Sequence, residues 1–275
     1  MLEEERSLGI ESASAQETVV VTYSGRTATV EMNRPESMNA MNEGMLRELV
    51  SALKEITLND DVDIVVIKGK GKAFSSGGDI KMMLSSTGEE GEASFNSLMD
   101  CITELVTTLY FMPKLTICGI HGAAAGLGLS IALATDYIIA EPESKIAMNF
   151  IGIGLIPDGG GHFFLERRLG EVQAKELIWE GKVMRAPEAL EKGLIHEVAS
   201  ETLDKSIQTK LEKWLSSPIQ AMIKTKKILG EKNRPLLLKM LELEKNAQMK
   251  MRKTNDHQEG IRAFVEKRKP NFTGR

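Results

Sequence analysis

The chain has 275 residues, 42% of them hydrophobic and 27% charged, with a formal net charge of −4. That size and apolar content fit one large folded domain, or one with a small appendage. The mildly acidic balance argues against nucleic acid or an anionic membrane surface as the main partner.

Residues 1–17 begin Met1-Leu2-Glu3-Glu4-Glu5 and read as a flexible N-terminal tail without the features of a signal peptide. Thr18 to Tyr23 and Thr27 to Met32 read as two strands turned at Ser24-Gly25. Asn42 is placed to cap a helix running to about Leu58, with Leu46, Leu49, Val50, Leu53 and Ile56 on its apolar face. Asp63 to Lys68 is a continuous apolar run, as in a strand covered on both sides. A loop follows over 69–78. Ser94 to Phe111 reads as a helix, broken at Pro113, and Leu115 to Ile120 as a strand. A glycine-rich loop leads into an apolar helix through Ile131 to Ala134, then a strand at Tyr137 to Ala140.

Strand, glycine loop and helix thus occur twice, which predicts an α/β fold: a spiral of ββα repeats with parallel pairing. Beyond Gly170 the pattern is helical over 171–181, 187–192, 203–214, 218–230, 235–252 and 255–267, with no strand expected. The organisation expected is a tail over 1–17, a spiral core over 18–200 and a helical region over 201–275, the last as a cap or assembly surface. Cys101 and Cys118 read as reduced thiols of a cytoplasmic protein. The four histidines (121, 162, 196 and 257) are scattered and give no zinc spacing, so no metal is expected. No apolar run reaches the ~18 residues of a membrane span.

The chemistry concentrates in two loops. His121-Gly122-Ala123-Ala124-Ala125-Gly126-Leu127-Gly128 crowds small residues before a helix, and Phe74-Ser75-Ser76-Gly77-Gly78-Asp79-Ile80 repeats the theme upstream. Small side chains admit a ligand close to the backbone, and a helix start offers unpaired N–H groups. One N–H from each loop can hold a single oxygen on which negative charge develops. Nucleotide motifs fit poorly: Ile131 stands where a dinucleotide fingerprint has its third glycine, and no Gly-Lys-Ser/Thr exists.

These segments, in this order and spacing, resemble the crotonase (enoyl-CoA hydratase/isomerase) family, and within it bacillus-type proteins. The resemblance runs from about Val19 to the C-terminus. It is carried by Asn33-Arg34-Pro35 with Asn39-Ala40, Ala73 to Lys81, the His121 to Gly128 loop, Gly154-Leu155-Ile156-Pro157-Asp158-Gly159-Gly160, and the ending Phe264 to Pro270. It implies a crotonase-like spiral with a helical C-terminal trimerisation region. It also implies a coenzyme A thioester as substrate and no permanently bound cofactor. The thioester oxygen would sit between the N–H groups of Gly78 and Leu127.

Hydratases of the family use two glutamates, and the matching positions here are Ser130 and Phe150. Asp158 is the remaining candidate base, at a place where some isomerases and dehalogenases of the family carry a working acid. Its loop reads as free to approach the cleft. One carboxylate suffices to carry a proton between two carbons, whereas water addition wants two groups. The expected reaction is therefore double-bond isomerisation, with Asp158 as proton shuttle. The resemblance assigns coenzyme contacts to Ser37, Met38, Ala40, Gly78, Asp79, Ile80 and Lys81. Phe264 and Lys267 are assigned to the coenzyme of a neighbouring subunit in a trimer or a dimer of trimers. Asn149 and His162 are candidate helpers, Met82, Met83, Met148 and Phe150 candidate pocket walls, and Asp79 a candidate cap of the next helix. Three alternatives stay open: a hydratase of fatty-acid degradation without the usual glutamates, a serine hydrolase built on Ser130, and a non-catalytic acyl-CoA or RNA-binding homologue.

Overall fold

Ile64-Val65-Val66-Ile67 is a run of branched side chains that suits pleated backbone, and it lies inside a six-stranded sheet in the computed structural model. The structure describes residues 17–80 and 88–275. The strands are β1 (Val19–Ser24), β2 (Thr27–Met32), β3 (Ile64–Gly69), β4 (Leu115–Ile120), β5 (Ala123–Ala125), β6 (Tyr137–Ala140), β7 (Lys145–Ala147), β8 (Met184–Arg185) and β9 (Glu197–Val198). The helices are α1 (Glu43–Leu58), α2 (Gly88–Phe111), α3 (Leu127–Leu133), α4 (Gly161–Leu169), α5 (Glu171–Glu180), α6 (Ala186–Glu191), α7 (Leu203–Leu215), α8 (Ile219–Met251) and α9 (Asn255–Val265).

The main sheet runs β1-β2-β3-β4-β6-β9, and a second sheet runs β5-β7-β8. β1 and β2 form an antiparallel hairpin, Val19 opposite Met32, while β2, β3, β4, β6 and β9 pair in parallel. Because side chains alternate along a strand, β3 feeds two cores. Val65 and Ile67 face Met45, Leu49 and Leu53 of α1 and the large central cluster. Ile64 and Val66 join Leu203, Ile207 and Leu211 of α7 and Ile223 of α8 on the other side. α1 begins where expected: the Asn42 side chain accepts from Met45 N–H at 2.9 Å.

Five expectations are corrected. Ala123–Ala125, read as loop, is a strand paired with β7. The segment beyond Gly170 is not free of strands, since β8 pairs with β7 and β9 with β6. α2 extends back to Gly88, and α9 ends at Val265. The helices expected at 218–230 and 235–252 are one helix, Ile219–Met251, which runs through Pro235. A proline there removes one helical hydrogen bond. Burial of Leu237 and Leu241 just beyond it holds the helix against the core and outweighs that local cost. The tail expected over 1–17 lies outside the described residues except for Glu17.

Candidate active site

Ser75 and Ala124 form a parallel bridge that joins the two glycine loops. Ser75 N–H donates to Ala123 O at 2.9 Å, and Ala125 N–H donates to Ser75 O at 3.0 Å. Gly78 and Leu127 each stand three residues beyond this bridge, so the loops carry them forward in step. Gly77 O accepts from Met41 N–H at 2.8 Å, and Asp79 N–H donates to Met41 O at 3.0 Å. Alternation of an extended backbone then leaves the N–H of Gly78 on the opposite edge. Leu127 opens α3, and the first N–H of a helix has no partner within it. Among the described residues no acceptor meets either N–H. Gly77 permits the close approach: its φ is +98°, and a Cβ there would lie 2.8 Å from Ala125 O and 3.5 Å from Leu127 N.

Asp158 lies on the loop that leads into α4, and this loop packs on α3. Ser130, on α3 and wholly buried, donates its hydroxyl to the main-chain O of Asp158 at 2.7 Å. Gly161 N–H donates to the same oxygen at 3.1 Å. The loop lies flat on α3: a Cβ at Gly159 would come 2.8 Å from Leu127 Cδ1 and 3.1 Å from Ser130 Cβ. The Asp158 side chain is therefore held, not free as its glycine-rich surroundings suggest. Its residue is 7% exposed. Oδ2 accepts from Gln248 Nε2 at 3.3 Å, and Oδ1 is buried without a partner. Burial, helped by the negative charge of Glu244, pushes the Asp158 carboxyl up to about 8 against the opposing influence of Gln248 and of its own main-chain N–H.

Glu244 is itself fully employed. Oε2 accepts from Gly160 N–H at 2.7 Å, and Oε1 pairs with His162 N–H at 3.0 Å and with His162 Nδ1 at 2.8 Å. It thus caps α4, where the positive helix end favours a carboxylate. Sequence reasoning missed both Glu244 and Gln248. A signal existed: Leu237, Leu241, Glu244 and Gln248 form one buried stripe of α8, so two polar residues sit where the period expects apolar ones.

The remaining predicted residues divide. Ser130 and Phe150 are both buried, and neither brings a carboxyl group to the site. Met148 is buried against Ser130, its sulfur 3.9 Å from the hydroxyl. Asn149 precedes a short 3-10 turn without capping it, and His162 is engaged by Glu244. Ser37, Met38 and Ala40 lie on a turn that touches the first loop: Ser76 N–H donates to Met38 O at 2.9 Å, and Ser76 Oγ to Ser37 O at 3.3 Å. Asn39, wholly buried, ties that turn down through Lys70 O, Ala73 O and the N–H of Arg34. Asp79 accepts from Arg34 Nη1 and Nη2, both at 3.1 Å. Gly78 and Ile80 follow the same loop, while Lys81, Met82, Met83 and the helix Asp79 was expected to cap lie outside the described residues. Phe264 is exposed on the last turn of α9, and Lys267 follows with a φ of +54°. Among the described residues there is no cluster of side chains able to hold a metal and no helix long and apolar enough to cross a membrane.

The profile of the enoyl-CoA hydratase/isomerase family matches residues 23–275. The chain is 48% identical over 256 residues to Bacillus subtilis (strain 168) YhaR, named for the enoyl-CoA hydratase/isomerase class, across 93% of this chain and 99% of YhaR. It is 31% identical over 249 residues to the trans-2-decenoyl-[acyl-carrier-protein] isomerase of Streptococcus mutans, across 90% of this chain and 95% of that protein. The crystal structure of an enoyl-CoA hydratase from Mycobacterium avium subsp. paratuberculosis K-10 matches with a TM-score of 0.84 at 29% identity, covering 94% of this chain and 99% of that one. The chain belongs to the enoyl-CoA hydratase/isomerase family, the crotonases.

Proposed function

We propose that this crotonase moves a carbon–carbon double bond within an acyl-CoA thioester, with Asp158 as the single proton carrier. The observation that carries this reading is Asp158 itself: a buried carboxyl pushed up to about 8, one oxygen without a partner, on a loop packed against Leu127 and Ser130. Ser130 and Phe150 offer no second carboxyl, and Glu244 is taken up by α4.

In this mechanism the thioester oxygen accepts from the N–H groups of Gly78 and Leu127. Ionised Asp158 takes a proton from C2 of a 3-enoyl thioester. The electron pair left behind spreads over the conjugated chain and onto the thioester oxygen, where the two fixed donors stabilise it. Asp158 then returns the proton to C4, and the double bond lies between C2 and C3. No atom is gained or lost. The coenzyme would run along Ser37, Met38, Ala40, Asp79, Ile80 and Lys81. Phe264 and Lys267 would reach the coenzyme of a neighbouring copy in a trimer or a dimer of trimers. Apolar side chains left exposed along α8, among them Ile228, Leu229, Leu236 and Leu243, support such an assembly.

The test is incubation with a 3-enoyl-CoA. A rise in conjugated thioester absorbance, with deuterium entering C2 and C4 in D₂O, is the expected result. Asp158→Asn should lower kcat by about 10²–10⁴-fold and abolish the exchange. Loss of absorbance from a 2-enoyl-CoA, with no reaction of the 3-enoyl isomer, would instead make the protein a hydratase.

A further inference from the structure

Asp158 has two carboxyl oxygens in different surroundings, and the difference comes from one side chain on α8. Gln248 is 1% exposed and its Nε2 meets two acceptors, Ile156 O at 2.7 Å and Asp158 Oδ2 at 3.3 Å. The Ile156 carbonyl can only accept, so it fixes which end of the amide faces the loop. Turning the amide over would set two carbonyl oxygens against each other. Gln248 is therefore a donor to Asp158, and its own Oε1 is buried without a partner. A buried polar atom left unpaired is costly. Such a residue at a position of the stripe that suits leucine calls for a reason beyond packing.

The geometry points to Gln248 as the positioning residue of the proton carrier: its amide holds Oδ2 and leaves Oδ1 as the oxygen that takes and returns the proton. This rests on the reading of Asp158 as base. By holding Oδ2, Gln248 turns the carboxyl about its last bond and fixes the direction in which Oδ1 points. A donated hydrogen bond also favours the ionised carboxyl, against the burial and the Glu244 charge that favour the neutral one. Its own main-chain N–H also favours the ionised form, and among the described residues the elements around Asp158 bring few other groups that could set its ionisation. α8 contributes Glu244 and α4 contributes His162, which are paired with each other. α3 contributes the Ser130 hydroxyl, spent on the main chain, and α2 meets the loop with Ile102.

Gln248→Met keeps length and removes the donor; Gln248→Glu keeps shape and adds a carboxyl. For Gln248→Met we expect the midpoint of the pH profile of kcat/KM for 3-enoyl-CoA to rise by about one pH unit. Its kcat at pH 7 should fall by about tenfold, with KM changed less than about twofold. Gln248→Glu should move the midpoint further in the same direction. A ¹³C titration of the Asp158 carboxyl in the unliganded protein, assigned by difference from Asp158→Asn, should show the same displacement. If both variants lose thermal stability while the profile and the titration stay in place, Gln248 is a packing residue and the inference falls. The titration needs no turnover, so it also separates the two ideas. Should Asp158→Asn isomerise at the parent rate, the proton-carrier reading fails even where the titration moves.

Discussion

Asp158 is gripped twice, by the Ser130 hydroxyl on its main chain and by the Gln248 amide on its side chain. The first grip fills the position to which the family resemblance assigns a hydratase glutamate. Ser130 is wholly buried, and its Oγ would lie 3.1 Å from a Cβ built at Gly161. No room remains there for a longer acid. Restoring the glutamate by Ser130→Glu should therefore not create a hydratase. It should destabilise the fold by about 3 kcal/mol or more, through crowding and an unpaired buried charge. A chemical denaturation midpoint and a 2-enoyl-CoA hydration assay check both halves of that expectation. The second grip bears on rate. Because the free carboxyl keeps its proton until about pH 8, kcat/KM should climb with pH through that region and then level off.

At the scale of elements, the proposed oxyanion donors depend on how β-type pairing hands over to helix. The N–H of Gly78 takes no part in the Met41 bridge, which uses Gly77 O and Asp79 N–H. Gly78→Pro should thus cost about 10²–10³ in kcat while leaving the thermal midpoint within a few degrees, as stopped assays and a melting curve would report. The same elements show what could be read beforehand. α1 was legible to the residue, since Asn42 and five apolar positions mark one face. The two loops were legible from their small residues. β8 and β9 have two residues each, too few to display a period of two. Pro235 suggested a break that burial of Leu237 and Leu241 overrides. Glu244 and Gln248 escaped because a polar residue in a helix normally signals solvent, and only their place on a buried stripe says otherwise. Asp158 was nominated from the sequence, yet its confinement was not, because the partner that confines it lies 90 residues away.

For the whole molecule, one acid held against its preference has a measurable cost. Unfolded, an aspartate releases its proton near 3.8; folded, Asp158 keeps its own until about 8. Across that window the native state holds one more proton than the unfolded chain. The contribution of this group to stability is therefore full below about pH 4 and is lost as pH rises towards 8. Asp158→Asn should melt higher than the parent at pH 8, by at least about 2–4 °C, with the gap closing towards pH 4. Matched melting curves at the two pH values would show whether stability is traded for reactivity at this residue.

The bridge between Ser75 and Ala124 acts as a shared zero mark for two rulers. Both proposed oxyanion donors sit at the same count from it, so their separation depends on tally, not on the long stretch of chain between the loops. That stretch can lengthen or shorten without disturbing the pair. One extra residue on either ruler would slide a donor by roughly 3.3 Å and turn it to face the wrong way.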